Sequence, residues 1–542
     1  MTNASKVYIN ALLADATYVN LTPGLSSESL AEVKDLKDRM TPTLAKYIAD
    51  NFEVISSIDT PDIPLLGSGF DATVWRGRPG TEFAGQVFVS TRGTEPPGVD
   101  IWGADVDLAV NVAARTQIID MVNWWLRETT PAGTQAKQVK WDPLRPKPEA
   151  PLGVEPGIVK GTPVSATGNL VGVTSVQVNG HSLGGHLASS FARIFGGENL
   201  VESGSVRIEG IASFNSAGFN GSKAETFFAQ LQGLLSTGMA SFAGVQAKQT
   251  NFFAQNGINV TTNDWWFTQM GKRIGLNQEE GTGMPNHSMF KLTDMLALGA
   301  AMAKLDPSMD IGKLNALMPV GGNQPAASIE GLFDALRRAV EGPGITASSI
   351  GDAGDSAQPR VDYHAALAKF NLDHKDLAGK LSIGVAAREM DTYARTDFAA
   401  LVALQDLSPI IVRGVPESVW QSTRSADYAA WQADKSSATP STFTDQWIAD
   451  RAAMLGWLVK RNLDDNTGAT INAPQDLRFL DEARKIDLRL GSSTTGDDNR
   501  KKFHFGDDKA NQLTGASKED HLYGGSGADT LEGKDGADYL EG

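Results

Sequence analysis

A chain of 542 residues, 41% of them hydrophobic, is long enough to bury a large core and to divide into two or three domains, which excludes a disordered polymer. Its 64 acidic against 48 basic residues give a formal charge of -16, which argues against a broad phosphate-binding face and so against nucleic acid as a partner. With no cysteine there is no disulfide framework, no thiolate chemistry and no cysteine-ligated metal.

Residues 1–68 read as an N-terminal helical segment. Met1 to Asn20 lacks a basic start followed by an apolar stretch of roughly 7–15 residues, so no cleavable N-terminal signal peptide is expected. No stretch reaches the ~18 consecutive apolar residues that suggest a membrane span. Residues 69–305 alternate strand-like and helix-like patterns, the signature of an α/β domain. Phe70 to Trp75 and Gln86 to Thr91 predict a hairpin around Pro79-Gly80, and Gln117 to Arg127 an amphipathic helix. Asp100, Asp105 and Asp107 read either as solvated loop charges or as ligands for a cation. Residues 128–164, rich in Pro and polar groups, form an insertion longer than an ordinary connection. Ser175 to Asn179 predicts a strand, Leu183 to Phe195 a helix, and Val206 to Phe214 and Thr250 to Gln255 two more strands. Phe227 to Phe242 is apolar on more of its surface than a surface helix needs, which suits core packing or a lid facing lipid.

The strand at 175–179 runs into Gly180-His181-Ser182-Leu183-Gly184 and then a helix. That order is a nucleophile elbow, a strained turn that exposes a serine hydroxyl. Glycines two residues before and after the serine fit because side chains there would collide across the turn. The backbone N–H of Leu183, at the helix start, would face an oxyanion developing at the site. A second donor is expected after an earlier strand, where Arg92-Gly93-Thr94 follows Gln86 to Thr91; the bland alternative is an ordinary turn. The pairing of strand-Arg-Gly-Thr with Gly-His-Ser-Leu-Gly-Gly resembles the class 3 lipase family, and that resemblance implies Thr94 as the second oxyanion donor.

The chain has seven histidines from which to draw a general base. His181 flanks the serine and is expected to project away from it, His186 to pack or cap one turn along the helix, and His504 and His521 belong to the tail. His287, ahead of an amphipathic helix, occupies the loop expected for a base in the chain order Ser, acid, His; His364 and His374 are the alternatives. Between Phe214 and His287 the one aspartate is Asp264. Asn256 stands nearest the strand end, where the class 3 lipases usually carry their Asp. An amide orients a histidine without neutralising its charge, so Asp264 is preferred as the acid and Asn256 kept as the alternative.

Residues 306–490 read as mostly helical, with Thr444 to Arg461 the clearest helix. From Gly506 the chain repeats every nine residues, as GDDKANQLT, GASKEDHLY, GGSGADTLE and GKDGADYLE. Each copy begins with Gly, has Asn511, Asp520, Asp529 or Asp538 sixth, and Leu eighth. Glycine permits the tight turn, acidic oxygens and turn carbonyls suit a hard cation, and the leucines fill a thin core. The repeat resembles the nonapeptide of RTX proteins, which implies a parallel β-roll over residues 491–542 with structural calcium at those four positions. Gly542 falls on the first position of a fifth copy, which reads as a truncated roll.

The fold class expected is therefore α/β: an α/β-hydrolase core at 69–305, a mostly helical region at 306–490 and a C-terminal roll. Elbow and tail together resemble secreted bacterial lipases and phospholipases. That resemblance implies a triacylglycerol lipase using Ser182, His287 and Asp264, a lipid or ester substrate at an interface, calcium without an organic cofactor, and release from the cell through type I secretion machinery. The alternatives are phospholipase A1 and a non-enzymatic RTX adhesin or toxin.

Overall fold

The structure, a computed structural model, describes residues 3–60, 68–93, 114–149, 153–197, 204–219, 221–235, 238–255, 269–278, 286–322, 328–348, 357–387 and 389–542. They fall into two units, the first within residues 1–303 and 350–373, the second within 304–349 and 374–542.

In the first unit the described residues form one seven-stranded sheet, β1 (Phe52–Asp59), β2 (Asp71–Gly77), β3 (Val87–Thr91), β4 (Ser175–His181), β5 (Arg207–Phe214), β6 (Gln249–Ala254) and β7 (Lys272–Leu276), in that spatial order. β1, β2 and β3 are antiparallel neighbours, whereas β3 to β7 all run parallel. Parallel neighbours need long crossovers. Helix α1 (Ala4–Ala16) precedes the sheet, and α2 (Ala114–Thr129) and α3 (Leu183–Phe195) lie in the connections that flank β4. β4 is buried along nearly its whole length, the pattern of a central strand covered on both faces.

Residues 52–59 belong to this sheet, so the N-terminal segment is not helical throughout. Phe52, Val54 and Ser56 are buried with less buried residues between them, a period of two that assigns a strand. α1 is apolar around most of its circumference and buried, and its Asn10 accepts from the Asn179 side chain on β4 at 3.1 Å. The insertion folds into two small antiparallel ladders, Gln135–Ala136 with Val164–Ser165 and Val139–Asp142 with Gly157–Lys160. Helix α4 (Gly221–Leu235) buries Phe227, Phe228 and Leu231 in one cluster with Trp124, Trp125 and Phe191, so this segment packs into the core. Helix α5 (Met289–Leu305) presents Asp294 to Arg360 and His364 of α6 (Gln358–Asp373) at 2.8 and 2.7 Å. That fully buried ion cluster ties 358–373 into the first unit, although the sequence placed them with the helical region.

The second unit is not helical up to residue 490. The hairpin β8 (Leu477–Asp481) and β9 (Ile486–Leu490) starts a sheet that continues, strand beside parallel strand, through β10 (Lys501–Phe505), β12 (His521–Tyr523) and β14 (Tyr539–Glu541). Opposite it, β11 (Gln512–Thr514) pairs in parallel with β13 (Thr530–Glu532). Phe503, His521 and Tyr539 are register partners, so one full turn of the coil takes two nonapeptides. Leu513 and Leu522 are buried, Leu531 is half-buried and Leu540 is 48% exposed, so the leucine row packs best next to the hairpin. Rings continue the ladder, with Phe479 stacked on Phe503 at 4.6 Å and Phe505 on Tyr523 at 4.8 Å. Helix α7 (Asp445–Leu463) anchors the coil through Asp450, whose carboxylate pairs with His521 and accepts from the Tyr523 hydroxyl.

Candidate active site

β4 ends at His181 and α3 begins at Leu183, which leaves Ser182 alone at the junction with φ 55° and ψ -124°. An L-residue held there carries strain of about 1–3 kcal/mol, tolerated where the surroundings fix it. The neighbours do fix it. A Cβ on Gly180 would lie 2.4 Å from the carbonyl oxygen of Gly184, and one on Gly184 would lie 2.2 Å from that of Thr91. The Thr91 hydroxyl donates to the Gly184 carbonyl at 2.7 Å and locks the turn to β3. Gly93 packs just as closely, since a Cβ there would sit 2.6 Å from the His181 carbonyl oxygen and 3.0 Å from Ser182 Cβ. The segment after β3 thus runs alongside the serine. Leu183, first residue of α3, has an N–H without an intrahelical acceptor.

Ser182 Oγ lies 3.1 Å from Nε2 of His287. His287 comes from the loop ahead of α5, held at its backbone: the Asn215 side chain donates to the carbonyls of Asn286 and His287 at 3.3 and 3.1 Å. Asn215 immediately follows β5 with φ 43° and also accepts from the Ala254 N–H at 3.0 Å. His181 completes the clamp, its Nε2 2.6 Å from the His287 carbonyl oxygen and its Nδ1 2.7 Å from the Tyr18 hydroxyl. A carbonyl only accepts, so His181 Nε2 carries the proton and Nδ1 accepts from Tyr18. Burial keeps this imidazole well below its ordinary pKa, with the adjacent His287 acting in the same direction, and so neutral. The rings of His181 and His287 are 4.8 Å apart. His181 therefore does not project away from the site, as its place beside the serine suggested; it braces the backbone of His287.

Burial also lowers the His287 pKa, to about 4. Its Nδ1 is buried and has no hydrogen-bond partner among the described residues. If Nε2 is to accept the serine proton, Nδ1 must carry the other, and a buried donor calls for an acceptor. Asp264 and Asn256 lie outside the described residues, as do Thr94, Asp100, Asp105 and Asp107. The remaining histidines are engaged elsewhere: His186 bonds the Gly218 carbonyl and stacks on Phe219, His364 sits in the Asp294 cluster, and His374 pairs with Glu341. Tyr18, Asn215 and the bracing role of His181 were not visible in the sequence. Tyr18 lies far from the elbow in the chain, and the one local sign for Asn215 is its place directly after a strand.

In the second unit the sixth-position side chains lie in the turns of the coil. Each hydrogen-bonds to a backbone N–H, Asp538 from Asp520 at 2.9 Å, Asp529 from Asn511 at 2.8 Å, and Asn511 from Asp507 at 2.8 Å. Residues 505–540 are RTX calcium-binding nonapeptide repeats, four copies in all. The RTX turns fit that metal in kind, since their glycines face oxygen with no room for a side chain. A Cβ on Gly536 would lie 2.2 Å from the Lys518 carbonyl oxygen and 3.0 Å from Asp538 Oδ1; one on Gly527 would lie 2.5 Å from the Lys509 carbonyl oxygen. Carboxylate and carbonyl oxygens are the donors a hard cation takes. Among the described residues no three acidic or histidine side chains converge on a point, so turn carbonyls would have to complete any such shell.

No curated protein matches the chain significantly. Among solved structures, it is similar to the M37 lipase, at 14% identity over 46% of this chain and 67% of that one with a TM-score of 0.22. It is also similar to the extracellular lipase LipA from Serratia marcescens, at 13% identity over 98% of this chain and 64% of that one with a TM-score of 0.21. The chain thus spans just under two thirds of the Serratia lipase's length. No helix among the described residues is long and apolar enough to cross a membrane.

Proposed function

We propose that the first unit is an α/β-hydrolase that cleaves carboxylic esters of lipids. Ser182 is the nucleophile, His287 the general base, Asp264 the acid, and the backbone N–H of Leu183 together with Thr94 the oxyanion donors. The observation that carries this reading is the 3.1 Å approach of His287 Nε2 to the hydroxyl of a serine held at φ 55°. A strained serine beside a neutral imidazole has the geometry to attack an ester carbonyl while passing its proton to His287. On this reading the second unit ends in a parallel β-roll whose structural calcium is held at Asn511, Asp520, Asp529 and Asp538, and the protein is secreted by a type I exporter. The motif pair and the RTX repeats, which resemble secreted bacterial lipases, support lipid esters as the substrate class.

The test is release of fatty acid from triglyceride and phosphatidylcholine vesicles, and of p-nitrophenol from a soluble ester, with and without calcium chelation. Triglyceride hydrolysis is the expected result. Release from phosphatidylcholine alone would make the enzyme a phospholipase A1, and activity on the soluble ester alone would remove lipid as substrate. A Ser182 that takes no fluorophosphonate label would leave an adhesin or toxin.

The clamp on His287 gives a further expectation. Tyr18→Phe leaves His181 Nδ1 without its donor, a loss of about 1 kcal/mol in stability. It should lower kcat more than it changes KM, because the backbone it steadies carries the base. Urea melts and p-nitrophenyl ester kinetics measure the two effects; an unchanged kcat would mean that Asn215 alone holds His287.

A further inference from the structure

Counting the nonapeptide register back one copy from Gly506 gives residues 497–505, DDNRKKFHF, in which the sixth position is Lys502. The structure keeps that register. The Lys502 N–H donates to Asp520 Oδ1 at 2.7 Å, as the Asp520 N–H donates to Asp538 Oδ1 at 2.9 Å one turn further on. Lys502, Asp520 and Asp538 thus form one column along the coil, and Lys502 stands where the repeats carry a candidate metal ligand.

Lys502 is buried, with 8% of the residue exposed. Its ammonium donates to the carbonyl oxygens of Gly515 and Thr514, at 3.2 and 3.5 Å, and among the described residues it forms no salt bridge with a carboxylate. Withdrawing an ammonium from water without a direct ion pair is costly. Thr514 and Gly515 are the ninth and first positions of adjacent copies, so these carbonyls open the turn whose carboxylate is Asp520. A buried cation aimed at turn carbonyls, in register with the metal-binding positions, is a substitute for a metal ion.

We propose that the Lys502 ammonium occupies the first cation seat of the coil, so that residues 497–505 fold against β12 without calcium and template the calcium-dependent copies that follow. The hairpin β8/β9 and the Phe479–Phe503 stack would then extend a metal-free start into the RTX repeats. This reading is independent of the esterase chemistry at Ser182.

Hydrogen exchange on the full chain, in calcium and in EDTA, tests it. In wild type, amides of β10 should stay protected in EDTA while those of β13 and β14 exchange freely. Lys502→Met keeps the bulk and removes the charge. It should speed exchange of β10 in EDTA by about tenfold or more, the equivalent of losing a charged hydrogen bond, and leave it near wild type at saturating calcium. A variant as protected as wild type in EDTA, or one equally unprotected with calcium, would overturn the proposal, the latter because it marks a packing role. Lys502→Asp restores the residue type of the repeats, and protection of β10 should then require calcium. Calcium-independent protection in that variant would also overturn it.

Discussion

Ser182→Ala should lose turnover by on the order of 10⁶-fold, the scale seen when a serine hydrolase loses its nucleophile, while the chain stays folded. The geometry allows a sharper form of the test. At φ 55° and ψ -124° the serine occupies a region that favours glycine. Ser182→Gly should therefore abolish turnover equally and at the same time raise stability by about 1 kcal/mol, the relief of strain less the entropy a glycine loses on folding. A denaturant melt paired with p-nitrophenyl ester kinetics reads both quantities. Gain of stability with loss of activity is the mark of strain kept for function; a destabilised Ser182→Gly would mean that the turn is favoured by its hydrogen bonds rather than endured. Gly180 and Gly184 do not share this freedom, because added Cβ atoms there meet backbone rather than solvent.

The elbow was legible because its requirements are local: a strand, two glycines, a serine and a helix, all within one stretch of chain. The same holds for the nonapeptide, whose nine-residue spacing is written out four times. What was not legible depends on residues distant in sequence. The Tyr18 hydroxyl reaches His181 from a segment that, by its pattern, is a plain apolar helix and turn, and the bond exists because α1 packs on β4. β1 was missed because Phe52, Val54 and Ser56 give a weak alternation in which the third inward residue is polar. Residues 358–373 read as another helix of the following region, and buried contacts distant in sequence, among them those of Arg360 and His364 with Asp294 and of Arg360 with the Arg39 carbonyl, assign them to the first unit. The choice among seven histidines rests on something different. Four of the seven are set aside by position, His287 is preferred to His364 and His374 by the chain order Ser, acid, His, and its Nε2 lies 3.1 Å from Ser182 Oγ while those two pair with Asp294 and Glu341.

Asp264→Asn should lower kcat by about 10⁴-fold, since an amide in place of the acid cannot stabilise an imidazolium and favours the wrong tautomer. The reason to expect a carboxylate is the buried Nδ1 of His287, which has no acceptor among the described residues although the proposed reaction requires it to carry a proton. The pH dependence separates Asp264 from Asn256. Burial alone draws the His287 pKa down to about 4, and a carboxylate at Nδ1 favours the charged ring and raises it again. A protonated His287 cannot take the serine proton, so kcat/KM falls as pH drops through that pKa. In wild type the acid limb should lie above 4; in Asp264→Asn it should move down toward 4, extending the active range to lower pH at a much reduced rate. Asn256→Ala should leave the limb in place and cost less than about tenfold, the effect of a neutral hydrogen bond. If instead the limb stays fixed in Asp264→Asn and kcat collapses in Asn256→Ala, the imidazole is oriented by an amide, and the enzyme runs with a base whose charge is never neutralised.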